Sequence, residues 1–167
     1  HLFYGSGNAI GEAISRDGVY FTRVDGDKTT PALDPILRPS PAASKALDAG
    51  GVGCPLVAPR VTPADRLQVR LVYTAYDKPR TDPTATSVLA FAGRYDRDDF
   101  VKNELPVLAL KAGESCPSLY EPTGKDYRLL YFDLRQPGTG TTTRGIGAAI
   151  APVGTSLGEL ADFPSAP

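Results

Sequence analysis

The chain holds one histidine, His1, among 167 residues. Histidine is the usual general acid or base near neutral pH and the commonest metal ligand in proteins. A single imidazole at the first position argues against a Ser-His-Asp or Cys-His triad inside the fold, and it excludes any site that needs two imidazoles. The sequence therefore identifies no catalytic residue and favours a non-enzymatic role.

His1 could still bind a metal ion. A free N-terminal histidine offers an amine and an imidazole to one ion, and this bidentate chelate suits Cu(II). The arrangement resembles half of the copper brace of secreted lytic polysaccharide monooxygenases, although the second histidine of that brace has no counterpart in this chain. Copper at His1 is one hypothesis, and an incidental terminal residue is the other.

Clustered carboxylates are the second candidate for chemistry. Asp96, Asp98 and Asp99 lie close together in the stretch Arg-Tyr-Asp-Arg-Asp-Asp. A glycosidase needs two carboxylates on opposite sides of a sugar and no histidine, so the cluster is compatible with a small secreted enzyme. The interleaved arginines favour a solvated turn and helix cap instead.

The two cysteines, Cys54 and Cys116, lie far apart in the chain and are each followed by proline. Their spacing is not the CxxC pattern of a redox pair or a zinc knuckle. We predict one structural disulfide, worth roughly 4 kcal/mol in the chain-entropy model, with two buried free thiols as the alternative. Disulfides persist in oxidising compartments. The chain also lacks methionine, which suits a processed product, so we expect a secreted, periplasmic or cell-surface location.

Composition excludes two classes of partner. Eighteen basic and 19 acidic residues give a net charge of −1 without a basic cluster, so we expect no nucleic-acid partner. No apolar run approaches the ~20 residues that span a bilayer, so we expect no membrane span. The 17 glycines and 16 prolines are spread along the chain and predict short elements joined by many turns.

A hairpin over Glu12–Val24 is the clearest predicted element. Asp17-Gly18 at its centre favours a two-residue type I′ turn, because both positions must adopt positive φ. That turn sets three predicted cross-strand pairs, which are Arg16–Val19, Ile14–Phe21 and Glu12–Arg23.

Period-two patterns predict the remaining strands. In Arg66–Tyr76 apolar and polar residues alternate, which is typical of a half-buried antiparallel strand. Further strands are predicted at Ser87–Tyr95, Pro106–Lys111, Tyr127–Arg135 and Gly145–Ala151. Helix signals are brief and lie at Ser40–Gly51, Asp96–Glu104 and Ser156–Glu159.

This pattern predicts an all-β fold with minor α content. We expect residues 1–167 to form a single-domain antiparallel β-sandwich or barrel with two or three short helices, in which 25–41 is a surface excursion and 163–167 a tail.

Function is then expected at the surface. The leading hypothesis is an exported, non-enzymatic module that acts through protein–protein contacts or self-assembly, as a structural subunit, adhesive domain or binding domain. Alternatives are the carboxylate enzyme, the copper protein, and a virion or phage surface protein. Tyrosines near arginines and the apolar first strand supply the interface candidates, which are Leu2, Phe3, Tyr4, Tyr73, Tyr76 and Tyr95.

Overall fold

The fold is all-β, as predicted. The computed structural model describes residues 1–58, 69–82, 84–95, 99–110, 114–120, 124, 127–137 and 142–152. Within these ranges the strands are β1 (Leu2–Ser6), β2 (Ala9–Ile14), β3 (Thr22–Val24), β4 (Gly51–Val57), β5 (Val69–Tyr76), β6 (Ser87–Arg94), β7 (Val101–Lys102), β8 (Leu108–Ala109), β9 (Glu114–Tyr120), β10 (Tyr127–Pro137) and β11 (Thr142–Pro152).

The strands form three antiparallel sheets. The N-terminal sheet has the order β1-β2-β3, and the central sheet has the order β4-β5-β6-β7, with β8 also paired to β6. The C-terminal sheet has the order β11-β10-β9, and its β10–β11 hairpin stays in register from Tyr127↔Pro152 to Pro137↔Thr142.

Both faces of the central sheet carry apolar clusters. The cluster shared with the C-terminal sheet contains Ala58, Val72, Leu89, Val107, Leu130 and Phe132. The cluster shared with the N-terminal sheet contains Ile10, Leu37, Val52, Tyr73, Ala75, Ala90 and Ala92. Because successive side chains of a strand point to opposite faces, Val72 and Tyr73 contribute to different clusters.

Burial on both faces corrects one prediction about β5. The alternating pattern predicts a strand with one solvent-facing side, but every residue of Leu71–Tyr76 is buried. The polar residue of this stretch, Thr74, is 0% exposed. Its hydroxyl oxygen accepts a 3.1 Å hydrogen bond from the backbone N–H of Cys116. A hydrogen bond between sheets thus satisfies the side chain that looked solvent-facing in the sequence.

The helix predicted at Ser40–Gly51 is wrong. The structure has only a three-residue 3-10 turn there, Ala42–Ser44. Lys45 follows it in the left-handed conformation with φ 53°, which ends the helical path after one turn.

The predicted helix Asp96–Glu104 is not formed in the part of it that the structure describes. Val101–Lys102, inside the predicted helix Asp96–Glu104, forms β7 and pairs with β6. Residues 96–98 and the third predicted helix, Ser156–Glu159, lie outside the described residues. The sheet partner offered by β6 outweighs a helix signal this short, because helices of so few residues are marginal by themselves.

The segment 25–41 is exposed in its middle and tied to the rest of the fold near its end. Residues 28–33 are exposed, whereas Leu37 is buried and forms a β-bridge with Ile10. The predicted tail, 163–167, lies outside the described residues.

Cys54 and Cys116 are joined, which confirms the predicted pairing. Their Cα atoms lie 4.7 Å apart, and the bond links β4 of the central sheet to β9 of the C-terminal sheet. Both cysteines have positive φ, 50° and 53°. The register of β4 against β5 and of β9 against β10 shifts around these positions. Each cysteine thus sits at an irregularity that turns its strand locally.

Candidate interaction surface

The hairpin formed by β2 and β3 carries the candidate surface. The prediction of a hairpin is confirmed, but the predicted turn and register are wrong. The predicted pairs Glu12–Arg23, Ile14–Phe21 and Arg16–Val19 are not formed. Glu12 pairs with Val24 instead, one position further along, and residues 15–21 form a loop wider than a two-residue turn.

Side chains inside this loop explain the wider turn. The Asp17 carboxylate accepts hydrogen bonds from the backbone N–H groups of Val19 and Tyr20, each at 2.9 Å. It also accepts a 2.8 Å hydrogen bond from the Ser15 hydroxyl. The Ser15 oxygen in turn accepts a 2.8 Å hydrogen bond from the N–H of Gly18. Short polar side chains thus satisfy loop N–H groups that a two-residue turn would have paired across the hairpin.

These hydrogen bonds also stabilise the ionised form of the Asp17 carboxylate. Donation by the backbone N–H of Tyr20, then of Val19, then by the Ser15 hydroxyl lowers the pKa of Asp17 from 3.8 to about 2. Hydrogen bonds to the ionised form stabilise that form. Asp17 therefore stays ionised at a lower pH than an ordinary aspartate does.

Three consecutive apolar side chains project from this loop. Val19 is 71% exposed, Tyr20 is 81% exposed and Phe21 is 44% exposed. In the part of the chain that the structure describes, no other run of three large apolar residues is exposed at every position. We call residues 15–21 the display loop, because its backbone is fixed by hydrogen bonds while its apolar side chains face solvent.

The sequence already contained a signal for this surface. Val19–Phe21 is apolar at three successive positions, whereas a strand with one buried face alternates. A two-residue turn at Asp17-Gly18 instead predicts Phe21 in a cross-strand pair opposite Ile14. The hydrogen bonds of the Ser15 side chain widen the loop, and Ile14 pairs with Thr22 instead.

His1 lies beside a buried ion pair. Its Nδ1 atom is 2.5 Å from Oε1 of Glu12, whose side chain is 1% exposed. The same carboxylate binds the Arg94 guanidinium. A copper chelate of amine and imidazole would use the Nδ1 atom, so Glu12 competes with the ion for that nitrogen. Across the described residues, no three His, Cys, Asp or Glu side chains are grouped to hold a metal ion. Copper binding stays a prediction.

The carboxylate cluster is only partly described. Asp99 is exposed, and Asp96 and Asp98 lie outside the described residues. The hypothesis of a carboxylate enzyme therefore stays a prediction.

The predicted interface residues occupy different environments. Leu2–Tyr4 belongs to β1 and pairs with β2 of the same chain, and Leu2 is 47% exposed. Tyr73 and Tyr76 are buried within the central sheet, at 1% and 8% exposure. Tyr95 is 50% exposed. Of these candidates, Leu2 and Tyr95 offer the largest accessible fractions.

Comparisons with known proteins place the chain in no family: no family model, no curated protein and no solved structure matches it. A search of the described ranges finds no helix with the length and apolarity needed to cross a bilayer.

Proposed function

We propose that this chain is an exported, non-enzymatic module that binds another protein through the display loop. The observation that supports this best is the exposure of Val19 and Tyr20 on a loop whose backbone is already held by Asp17. A binding segment that is ordered beforehand loses less conformational entropy on association. Tyrosine is also among the residues that most often dominate the energy of protein interfaces.

The charge of the loop favours a protein partner over a lipid bilayer. The ionised Asp17 carboxylate accepts hydrogen bonds from the backbone N–H groups of Val19 and Tyr20. Inserting these side chains into hydrocarbon would carry a carboxylate toward a medium that disfavours charge. A protein surface can receive the apolar side chains and leave the carboxylate at its polar rim.

We also propose that the chain is exported and that its three sheets pack as a sandwich. The Cys54–Cys116 bond supports an oxidising compartment outside the cytosol. The apolar clusters on both faces of the central sheet support a sandwich arrangement of the sheets. Such a scaffold holds a loop between paired strands in a fixed position, as recognition domains require.

Photo-crosslinking tests the proposal. A photoreactive phenylalanine analogue replaces Tyr20 in one chain and Tyr120 in a control chain, because Tyr120 is also exposed, at 55%, but lies on β9. Both chains are irradiated in the fluid or extract of the source cells. We expect a discrete protein adduct from position 20, absent from position 120, whose mass distinguishes a second copy of the chain from a different protein.

Competition decides whether the adduct is specific. Excess unlabelled wild-type chain should abolish it, whereas an equal excess of Tyr20→Ser should not. Equal crosslinking at both positions, or equal competition by the variant, would refute the proposal. Tyr20-dependent flotation with anionic vesicles in the absence of a protein adduct would also refute it.

A further inference from the structure

A cavity of about 510 Å³ lies between the segment 40–48 and the central sheet, and it shares no residue with the display loop. Side chains from both parts line it, among them Ser44, Leu47, Asp48, Tyr73, Lys102 and Glu104. This volume is in the range of small-molecule sites, which combine apolar walls with a few placed polar groups.

A buried ion pair forms one wall of this cavity. The Asp48 side chain is 4% exposed, and its Oδ2 atom accepts a 2.5 Å hydrogen bond from Nζ of Lys102. Lys102 Nζ also donates to the carbonyl oxygen of Arg38 at 2.5 Å and to Oγ of Ser40 at 3.1 Å. An ammonium group has three N–H donors, so Lys102 has none left for a ligand. The lysine therefore does not make this cavity an anion site.

Acceptor capacity remains in the cavity. The Asp48 carboxylate accepts from Lys102 and, at 3.3 Å, from the backbone N–H of Ser40, whereas an ionised carboxylate can accept about four hydrogen bonds. The exposed Glu104 carboxylate adds a second negative group at the rim. With Lys102 compensating one of the two carboxylates, these three side chains carry a net charge of −1.

Tyr73 supplies the observation that points to a ligand. It is 1% exposed and lines the cavity, and its hydroxyl has no hydrogen-bond partner among the described residues. Burial, and then the negative charge of Asp48, raise the pKa of Tyr73 above its usual range, so the hydroxyl keeps its proton. A hydroxyl group on a cavity wall that no protein group occupies can donate to or accept from a bound molecule or water.

We propose that this cavity binds a small organic cation that carries a primary ammonium group. The ammonium donates to the Tyr73 hydroxyl oxygen and the Asp48 carboxylate, and Glu104 supplies the compensating charge at the entrance. The alkyl part of the ligand packs against Leu47. A free amine and a lysine side chain of another protein share this chemistry, and the experiment distinguishes them.

The test is an NMR titration of the full chain with n-butylammonium, with n-butanol as the neutral isostere. We expect saturable shifts of the Ser44, Tyr73 and Glu104 resonances with the amine and none that saturate with the alcohol. Glu104→Gln should weaken amine binding about tenfold, because it removes the charge at the rim. Asp99→Asn removes one exposed carboxylate outside the cavity, so it controls for net charge and should leave the affinity unchanged.

Tyr73→Phe tests the buried hydroxyl, and we expect about threefold weaker binding from the lost hydrogen bond. N-acetyl-lysine methylamide distinguishes the two sources of the ammonium: tighter binding than n-butylammonium indicates a partner's lysine, and equal binding indicates a free amine. Equal affinity for amine and alcohol, or unchanged amine affinity in both Glu104→Gln and Tyr73→Phe, would overturn the proposal.

Discussion

Arg94 and Glu12 form a doubly hydrogen-bonded ion pair that joins the central sheet to the N-terminal sheet. Arg94 Nη1 lies 2.7 Å from Glu12 Oε2, and Nη2 lies 3.0 Å from Oε1. The guanidinium carbon also lies 4.7 Å from the ring centroid of Phe100. Because Glu12 is 1% exposed, removing the arginine would leave a carboxylate buried without its main countercharge.

Arg94→Met should therefore destabilise the chain by about 3–5 kcal/mol, measured by urea denaturation, since it breaks a buried pair on one side only. The double variant Glu12→Leu/Arg94→Met removes both charges and should recover at least half of that loss. An Arg94→Met variant as stable as the wild type would contradict the role of this ion pair in holding the two sheets together.

The disulfide between β4 and β9 should contribute about 4 kcal/mol, because it closes a loop of 62 residues in the unfolded chain. We expect Cys54→Ala/Cys116→Ala to lower the free energy of unfolding by that amount in denaturant titrations. Treating the wild type with a reductant should give a similar loss, while the double alanine variant should not respond to the reductant. A wild-type chain whose stability is unaffected by reduction would contradict this expectation.

Gly50 and Gly5 differ in the space that a side chain at each position would find. A Cβ atom at Gly50 would lie 2.0 Å from the carbonyl carbon of Lys78, whereas a Cβ at Gly5 would meet nothing within 4 Å. Gly50→Ala should destabilise the chain by about 1–3 kcal/mol, because backbone must shift to make room. Gly5→Ala should change stability by less than about 0.5 kcal/mol. Equal melting temperatures for the two variants would contradict the close contact between the backbone of residue 78 and residue 50.

The display loop should respond to acid at unusually low pH. The pKa of Asp17 is lowered to about 2, so the stabilisation from its hydrogen bonds is complete above the ordinary carboxyl pKa of 3.8 and is lost as pH falls toward 2. The carboxyl carbon shift of Asp17, followed by NMR, should titrate near 2. In Ser15→Ala the midpoint should rise, because one donor is removed while those of Tyr20 and Val19 remain. A wild-type midpoint near 4 would contradict the loop geometry.

The sequence was sufficient for the all-β class, for most strands and for the cysteine pair. Strands Val69–Tyr76 and Ser87–Arg94 follow from β-branched and aromatic runs, which are local properties. Burial of both faces of Val69–Tyr76 could not be predicted, because it depends on two other sheets that pack against it. The helix predicted at Ser40–Gly51 does not form for a related reason. A short stretch with a capping residue and a terminating glycine favours a helix only weakly, and tertiary contacts override this preference.

The candidate surface could be predicted only in part from the sequence. Asp17-Gly18 located the hairpin, but the width of its loop depends on a Ser15 hydroxyl that competes for backbone N–H groups. One position of register then decides whether Phe21 pairs across the hairpin or faces solvent. The cavity beside Asp48 and Tyr73 joins segments distant in the chain, so no local pattern marks it.

Backbone ¹⁵N relaxation at Val19 and Tyr20 tests most directly whether the display loop is ordered before any partner binds. We expect order parameters of about 0.85 at both amides, equal to those of β2, because Asp17 holds both N–H groups. Asp17→Ala should lower them below about 0.6. Wild-type values below about 0.6 would contradict a loop arranged in advance for recognition.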